Sequence, residues 1–181
     1  MYKKVTPKYY ARTILDIDYD LLLEQGIKAL FFDLDNTLIP YDINVVTGEY
    51  KAFIEELAKK FKIVILSNSR KPRVSNAVKE LIDIPYISFA KKPLKFGFKK
   101  ALKKANVKKE EACAIGDQLM TDVLGANRTK LKASILVYPI KKRSDHILTR
   151  TNRRIERYFI RKIKRKTPDK YDEVLKDYVE R

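Results

Sequence analysis

Hydrophobic and polar positions alternate in blocks through the middle of the chain. Short apolar runs of strand length are followed by longer segments with apolar residues at helical spacing. The predicted strands are 27–32, 63–66, 84–89, 112–115 and 135–137, and the predicted helices are 50–60, 72–81, 94–105 and 118–127. Apolar strands that alternate with amphipathic helices form βαβ units. We therefore expect an α/β fold with a Rossmann-like parallel sheet and helices on both of its faces.

Polar residues follow three of the predicted strands. Asp33 and Asp35 follow the first, Ser67 and Asn68 follow the second, and Asp117 follows the strand at 112–115. Parallel sheets bind ligands at the carboxyl ends of their strands. We therefore expect these five side chains to meet at one edge of the sheet.

Asp33 and Asp35 present a charge problem, since they are two residues apart and follow a buried strand. Two carboxylates held this close repel each other, so one is protonated or a cation is recruited. The alternative is a turn that ends in a helix N-cap at Thr37, because Asp, Asn and Thr favour turns and caps.

Size and composition limit the classes of protein. A chain of 181 residues is long enough for one domain with appendages and a core of its own. Its single cysteine, Cys113, excludes an intrachain disulfide framework and a cysteine-rich zinc site, and we expect a buried, reduced thiol in the cytoplasm. The sequence has neither an apolar run of membrane-spanning length nor a signal-peptide core, which predicts a soluble or peripheral protein.

Charge indicates a polyanionic partner. Forty Lys and Arg residues against 23 Asp and Glu give a net charge of +17, which suits nucleic acid, acidic lipid or a phosphorylated substrate. Residues 141–166 hold twelve basic and two acidic residues. We therefore divide the chain into a basic and aromatic N-terminal segment (1–26), a catalytic domain (27–138) and a basic helical tail (139–181).

Four motifs follow one another along the chain. They are DLDNT at 33–37, Ser67 after the second strand, Lys92-Pro93, and GDQLMTD at 116–122. In this order they resemble the signatures of the haloacid-dehalogenase superfamily of aspartate-nucleophile phosphatases. The resemblance covers roughly residues 27–138, and it implies that superfamily's fold without a cap domain.

The resemblance implies a role for each catalytic residue. Asp33 is expected to be the nucleophile that forms an aspartyl-phosphate. Asp35 is expected to protonate the leaving alkoxide and then to deprotonate the attacking water. Ser67 is expected to hydrogen-bond a phosphoryl oxygen, and Lys92 to neutralise the phosphate and Asp33. On the residues alone, the alternatives are a strand-end cap for Ser67 and a solvated charge for Lys92.

The resemblance also implies a Mg²⁺ site. Its expected ligands are the Asp33 carboxylate, the Asp35 main-chain carbonyl and Asp117, with Asp122 supporting directly or through water. The alternative for Asp122 is an acid in the first turn of a helix.

Two further residues are candidates for substrate binding. Thr37 is expected to fix the turn after the first strand. Asn68 either touches the phosphate or forms a turn.

The gaps between the motifs are too short for a cap domain. Residues 38–62 and 68–91 have room for a helix and a short strand or hairpin, the hairpin being predicted over 41–49 with Gly48 at its turn. We therefore expect an open site, which suits a phosphate displayed on a lipid surface, a protein, a nucleic-acid end or a sugar held by a neighbouring subunit.

The tail predicts a basic amphipathic helix over 152–166. Ile155, Tyr158, Phe159 and Ile163 fall on one side of this helix, and basic residues fill much of the rest. Such a helix is typical of anionic membrane surfaces. The alternative is that its apolar stripe packs on the domain.

Together, the first motif, the Ser-Asn-Ser second motif, the missing cap and the basic helix resemble the YqeG family of haloacid-dehalogenase subfamily IIIA. That family is similar to phosphatases of phosphatidylglycerophosphate. The resemblance implies a cytoplasmic, peripheral membrane enzyme that uses Mg²⁺ to convert this lipid to phosphatidylglycerol.

Two alternatives to the lipid phosphatase stay open. The first is a phosphatase of a soluble sugar phosphate or a polynucleotide end. The second is a non-enzymatic nucleic-acid or ribosome-binding module, which we would expect to lack a catalytic acid, whereas all of them are present. The sequence does not indicate an oligomeric state.

Overall fold

Six parallel strands form one sheet at the centre of the described part of the chain. The computed structural model describes residues 2–140 and 147–180. The strands are β1 (Tyr9–Ala11), β2 (Ala29–Phe32), β3 (Lys62–Leu66), β4 (Tyr86–Ile87), β5 (Ala112–Gly116) and β6 (Ala133–Val137). They lie in the order β1-β6-β5-β2-β3-β4, and every neighbouring pair is parallel. The predicted α/β fold with a parallel sheet is therefore confirmed.

Helices connect the strands. They are α1 (Tyr19–Glu24), α2 (Gly48–Lys60), α3 (Lys71–Ala77), α4 (Lys95–Ala105), α5 (Leu124–Thr129), α6 (Ile147–Lys166), α7 (Pro168–Val174) and α8 (Lys176–Glu180). A π-helical stretch, Leu119–Val123, directly precedes α5. Among the residues that the structure describes, no helix is both long and apolar enough to cross a bilayer.

The central strand β2 is buried on both faces of the sheet. Leu30 and Phe32 pack with residues of α1, α2 and α3, whereas Ala29 and Phe31 pack with residues of α4 and α5. Successive residues of a strand point to opposite faces. A strand covered on both sides therefore needs the unbroken apolar run seen in the sequence.

The N-terminal segment contributes an element that the sequence pattern does not predict. β1 pairs with β6 at the edge of the sheet, and its three residues are only partly buried. Three half-buried residues give too short a pattern to distinguish a strand from a loop. The segment 1–26 therefore includes part of the sheet.

Three predicted elements differ from the structure. The hairpin predicted over 41–49 is wrong: residues 41–47 form turns and loop, and Gly48, with a φ of 61°, is the first residue of α2. The helix predicted over 118–127 is divided between the π-helical stretch and α5, and the helix predicted over 72–81 ends at Ala77.

The C-terminal helices pack against the sheet. α7 contacts β1, and α6 contacts the π-helical stretch. On α6, Phe159, Ile160 and Ile163 are buried, whereas Ile155 and Tyr158 are 41% and 60% exposed. For Phe159 and Ile163 the structure thus selects packing on the domain. Residues 141–146 and the side chains of 147–153, which carry five of the tail's basic residues, lie outside the described part.

Candidate active site

A tight turn after β2 carries the first two acids. Its first amide, that of Asp33, donates to a carbonyl of β5 at 2.9 Å. Asn36 has a φ of 64°, and its N–H donates to the Ile39 carbonyl at 2.7 Å. Asn enters this left-handed region more readily than most residues. The alternative of a helix N-cap at Thr37 is wrong, because no helix begins between residues 33 and 47.

Lys92 lies between two buried carboxylates. Its Nζ is 2.6 Å from Asp33 Oδ1 and 2.6 Å from Asp122 Oδ1. The three residues are only 3% to 7% exposed. A solvated lysine is therefore excluded at this position. Removing Lys92 would leave two buried carboxylates without the cation that they share, which is strongly destabilising.

Burial and repulsion act together on Asp33. Burial raises the pKa of the Asp33 carboxyl well above its ordinary value, Lys92 acts to lower it, and Asp122, Asp117 and Asp35 raise it further. Burial also acts to lower the pKa of the Lys92 ammonium, but the Asp122 and Asp33 carboxylates raise it above its ordinary value. Lys92 is therefore a permanent positive charge beside an overcrowded set of acids.

The loop after β5 brings two more acids to the same place. Asp117 follows Gly116 directly, and a Cβ at Gly116 would lie 2.3 Å from Asp122 Cγ. The Asp122 Oδ2 atom accepts from the Gln118 N–H at 3.3 Å and from the Thr121 hydroxyl at 3.1 Å. Asp122 thus closes the loop and reaches Lys92, so it does more than provide a negative charge to a first helical turn.

Three acids form a group that fits a divalent cation. Carboxylate oxygens of Asp33, Asp117 and Asp122 all lie within 4.8 Å of one another. Lys92 offsets one of these three charges, so the group carries an excess of negative charge when ionised. Hard oxygen donors with excess negative charge are what Mg²⁺ prefers. The Asp35 carboxylate is outside this group in the described residues, which leaves its main-chain carbonyl as the predicted ligand.

The Asp35 carboxylate is held by two residues that the sequence analysis missed. Its Oδ2 accepts from the Ser69 hydroxyl at 2.7 Å, and its Oδ1 accepts from Arg73 Nε at 3.2 Å and Nη2 at 2.8 Å. This two-pronged ion pair is about 15% exposed on both sides. A signal was present, because Arg73 lies in the first turn of α3, where a cation is unfavourable unless an acid pairs with it.

Arg73 also ties the loop after the first motif to the site. It donates to the Pro40 carbonyl at 3.4 Å, to Asn44 Oδ1 at 3.3 Å and to the Ile43 carbonyl. Its guanidinium lies 5.5 Å from the centre of the Tyr41 ring. One side chain therefore links Asp35 to residues 40–44.

The structure places the remaining predicted residues as follows. Ser67 is buried directly after β3, and its Oγ accepts from the Ser69 N–H at 3.0 Å. Asn68 binds the backbone of Lys92 with both ends of its amide, accepting at 2.7 Å and donating at 3.1 Å. Asn68 therefore positions Lys92. Thr37 is buried, and its hydroxyl has no hydrogen-bond partner in the described residues.

A buried acid from the tail supports the loop that carries Asp122. Glu156 Oε1 accepts from the Leu119 N–H at 2.7 Å and from the Met120 N–H at 3.3 Å. Glu156 is 2% exposed. Glu156 is not among the predicted site residues, although the sequence holds a signal for it: it is the only acid in the sequence of α6, and it shares a helical face with Phe159 and Ile163.

Within the described residues, no cap covers the carboxyl edge of the sheet. Between the first motif and β3 the chain forms a loop and α2, and between Ser67 and Lys92 it forms α3, β4 and their connections. These segments are fully described and leave no additional domain. The arrangement can therefore accept a phosphate that projects from a large object.

The sequence matches known hydrolases. A model of the haloacid dehalogenase-like hydrolase family matches residues 41–128. The chain is also 37% identical over 168 residues to the probable phosphatase YqeG of Bacillus subtilis strain 168, and the alignment covers 92% of this chain and 96% of that protein.

One solved structure shares the fold, and a second aligns more weakly. An uncharacterized protein from Listeria monocytogenes serotype 4b aligns with a TM-score of 0.50 at 19% identity, over 61% of this chain and 90% of the other. A hydrolase from Pseudomonas syringae aligns with a TM-score of 0.49 at 17% identity, over 71% of this chain and 98% of the other. Likeness at this identity concerns the fold alone.

Proposed function

Because the chain belongs to the haloacid dehalogenase-like hydrolases and is a phosphatase, we propose that it removes the terminal phosphate of phosphatidylglycerophosphate at a membrane surface, with Mg²⁺ as cofactor. We also propose that it is a member of subfamily IIIA and of the YqeG family, on the basis of its 37% identity to the Bacillus subtilis protein.

One observation carries the proposed chemistry. Lys92 Nζ is 2.6 Å from both Asp33 and Asp122 in a buried group of acids at the carboxyl edge of the sheet. A divalent metal bound here would offset the repulsion among the acids and, together with Lys92, the charge of a bound phosphate. The arrangement therefore suits transfer of a phosphoryl group.

Asp33 would be the nucleophile. A carboxylate oxygen of Asp33 attacks phosphorus, the bond from phosphorus to the leaving oxygen breaks, and an aspartyl-phosphate forms. Lys92 offsets negative charge on Asp33 and on the phosphoryl oxygens. Bound at Asp33, Asp117 and Asp122, Mg²⁺ would supply Lewis-acid stabilisation of the phosphoryl charge.

Asp35 would move the protons. It donates a proton to the leaving oxygen, and it then removes one from the water that attacks phosphorus and releases inorganic phosphate from Asp33. Ser69 and Arg73 fix the orientation of this carboxylate. Each carboxylate oxygen has two lone pairs, so the oxygen that accepts from Ser69 can still exchange a proton with the substrate.

Three properties favour a lipid substrate. The part of the chain that the structure describes forms no cap over the site, so it does not enclose a small metabolite by itself. The net charge of +17 favours an anionic surface. The phosphomonoester of phosphatidylglycerophosphate projects from the membrane into water, where an uncapped edge can reach it. A cytoplasmic, peripheral membrane location follows from the same proposal.

Phosphate release from a substrate panel tests the proposal. The panel contains phosphatidylglycerophosphate in vesicles, sugar phosphates and oligonucleotides with terminal phosphates, each with and without Mg²⁺. We expect Mg²⁺-dependent release from the lipid. The Asp33→Asn variant should lose turnover by at least about a thousandfold while keeping its melting temperature.

The substrate panel and the Asp33→Asn variant test the proposed substrate and the proposed mechanism separately. Release from oligonucleotide ends but not from the lipid would replace the proposed substrate by the polynucleotide alternative, which the 40 basic residues also favour. Retained turnover in Asp33→Asn would contradict the assignment of the nucleophile.

A further inference from the structure

Large apolar side chains are exposed at the catalytic edge of the sheet, beside Lys92. The segment 89–96 follows β4 and delivers Lys92 to the site. Its Phe89, Leu94 and Phe96 side chains are 54%, 50% and 51% exposed. We call residues 89–96 the rim segment. Side chains of this size are exposed at some cost, so three in one short segment suggest a surface that is covered during function.

The backbone holds these side chains outward while Lys92 points inward. Phe89 and Lys91 have φ values of 47° and 54°. The Phe89 N–H donates to the Ser69 carbonyl at 3.0 Å, and the Leu94 N–H donates to the Lys91 carbonyl at 2.8 Å. The rim segment, which ends in the first two residues of α4, is thus ordered and is fixed to residues that form the site.

Charge identifies the partner of this surface. Residues 84–109 contain nine lysines and no acid. Lys91, Lys95, Lys99 and Lys100 are exposed on or next to the rim segment, and Lys100 Nζ lies 4.3 Å from the centre of the Phe96 ring. Exposed apolar tips surrounded by lysines suit an anionic lipid bilayer, because the tips enter the acyl boundary and the ammonium groups meet the headgroup phosphates.

A second loop at the same edge has similar exposed groups. Tyr41 and Ile43 are 40% and 47% exposed in the loop after the first motif. Arg73 connects this loop to Asp35, just as the rim segment carries Lys92. Both loops are therefore attached to catalytic groups.

The C-terminal helix is less suited to this role. Phe159, Ile160 and Ile163 of its apolar stripe are buried in the protein. Inserting them into lipid would require α6 to leave the domain.

We infer that the rim segment is the membrane-docking surface of the protein, and that its occupant is a bilayer containing anionic phospholipid. Docking by this surface would set the open site against the headgroups, so a lipid phosphomonoester would reach Asp33 without leaving the membrane. The inference rests on the proposed lipid substrate and specifies how that substrate is reached.

Vesicle cosedimentation of the full chain tests the inference. The vesicles contain phosphatidylcholine with or without phosphatidylglycerol. The test variant is Phe89→Ser/Leu94→Ser/Phe96→Ser, for which we expect at least about a tenfold loss of binding to anionic vesicles.

The matched control is Leu21→Ser/Leu23→Ser/Ile82→Ser. These residues are 38%, 36% and 72% exposed in α1 and in the connection before β4, at the opposite edge of the sheet. The control should bind like the wild type.

Two double variants that each remove two lysine charges from α4 give a second measurement. This measurement does not require the triple serine variant to fold. Lys95→Gln/Lys99→Gln removes two charges from the catalytic end of α4, and Lys103→Gln/Lys104→Gln removes two from its other end. We expect the first pair to weaken binding and to lower hydrolysis of vesicle-borne phosphomonoester relative to a soluble one. We expect the second pair to change both much less.

Three results would overturn the inference. One is equal vesicle binding by the rim and control variants. Another is loss of binding in Ile155→Ser/Tyr158→Ser with none in the rim variant, which would assign docking to α6. The third is binding of single-stranded RNA, but not of vesicles, that depends on the rim segment.

The docking surface and the substrate can fail separately. Vesicle binding through the rim segment without release of phosphate from phosphatidylglycerophosphate would support the surface and reject the substrate. Release of that phosphate by the rim variant at the wild-type rate would support the substrate and reject the surface.

Discussion

At the level of single residues, Lys92 determines the balance of positive and negative charge in the site. It contacts two of the four acids that come together after β2 and β5. Even with this buried ammonium among the acids, burial first and the other acids second still raise the pKa of Asp33. In its proposed role as nucleophile, the Asp33 carboxylate therefore needs further positive charge, which a divalent cation is suited to supply.

Arg73 is expected to contribute to catalysis by orienting Asp35. A lysine cannot reproduce its two-pronged contact with one carboxylate together with bonds to residues 40–44. We expect Arg73→Lys to lower kcat by up to about a hundredfold with a smaller change in KM, since misplaced proton donors slow the chemical step. Steady-state kinetics would measure this. Arg70→Lys, an exposed arginine three residues earlier, is the matched control. Equal kcat in both variants would contradict the role of Arg73.

Cys113 is expected to be unreactive in the folded protein. It is fully buried in β5, and burial raises the pKa of its thiol well above the ordinary value. The thiolate is the reactive form of cysteine. Unfolding restores the ordinary pKa of the Cys113 thiol, about 8.5. Unfolding thus releases a proton above that pH, so this thiol lowers stability as the pH rises past it. Titration with a thiol reagent should detect no thiol in the native chain and one after denaturation. Rapid native labelling would show that β5 opens.

At the level of elements, a helix of the tail holds the loop that carries Asp122. Glu156 of α6 accepts from two amides of the π-helical stretch. Glu156→Ala would leave the buried Leu119 N–H without this acceptor, at a cost of about 1–3 kcal/mol, and would also remove the acceptor of the partly buried Met120 N–H. Glu156→Gln keeps an oxygen acceptor at the same position.

We therefore expect Glu156→Ala to raise the Mg²⁺ concentration needed for half-maximal activity, and Glu156→Gln to restore most of it. Mg²⁺ titrations of turnover, alongside thermal melts, would distinguish the two. A purely structural role would lower the melting temperature of the alanine variant without changing its Mg²⁺ requirement.

The elements that the sequence predicts best are those whose full length shows a clear pattern of apolar residues. β2, β3, β5 and β6 are apolar runs, and α2 and α4 have helical periodicity, so each lies within a few residues of its predicted position. β1 escapes prediction because it has three half-buried residues. The π-helical stretch is not predicted because the acceptor of two of its amides, Glu156, lies 33 residues beyond Val123.

Prediction of the site from the sequence is limited in the same way. Asp33, Lys92, Asp117 and Asp122 come together as the motifs predict, because the carboxyl ends of parallel strands share one edge. The partners of Asp35 are different, since the contact with Arg73 spans 38 residues and depends on how α3 packs. A sequence motif fixes which residues follow a strand, but not which side chains from other elements approach them.

At the scale of the whole molecule, the predicted boundary at residue 138 divides a single core. Val5, Leu119 and Leu136 lie in the same apolar cluster as Ile163 and Leu175 of the tail. The Tyr178 ring meets those of Tyr10 and Tyr138 edge-on, with centroids 6.1 and 6.0 Å apart. This cluster lies directly beneath the loop that follows Asp117.

Deleting residues 141–181 is therefore expected to destabilise the catalytic part of the chain. The deletion exposes the tail-facing side of this cluster, and each large apolar side chain contributes about 1.5–3 kcal/mol when fully buried. It also removes Glu156 from the loop of Asp122. We expect a lower melting temperature by circular dichroism, together with a loss of Mg²⁺-dependent turnover. A truncated chain that melts and turns over like the full one would show that the tail is an appendage, because a shared core cannot lose one of its sides without loss of stability.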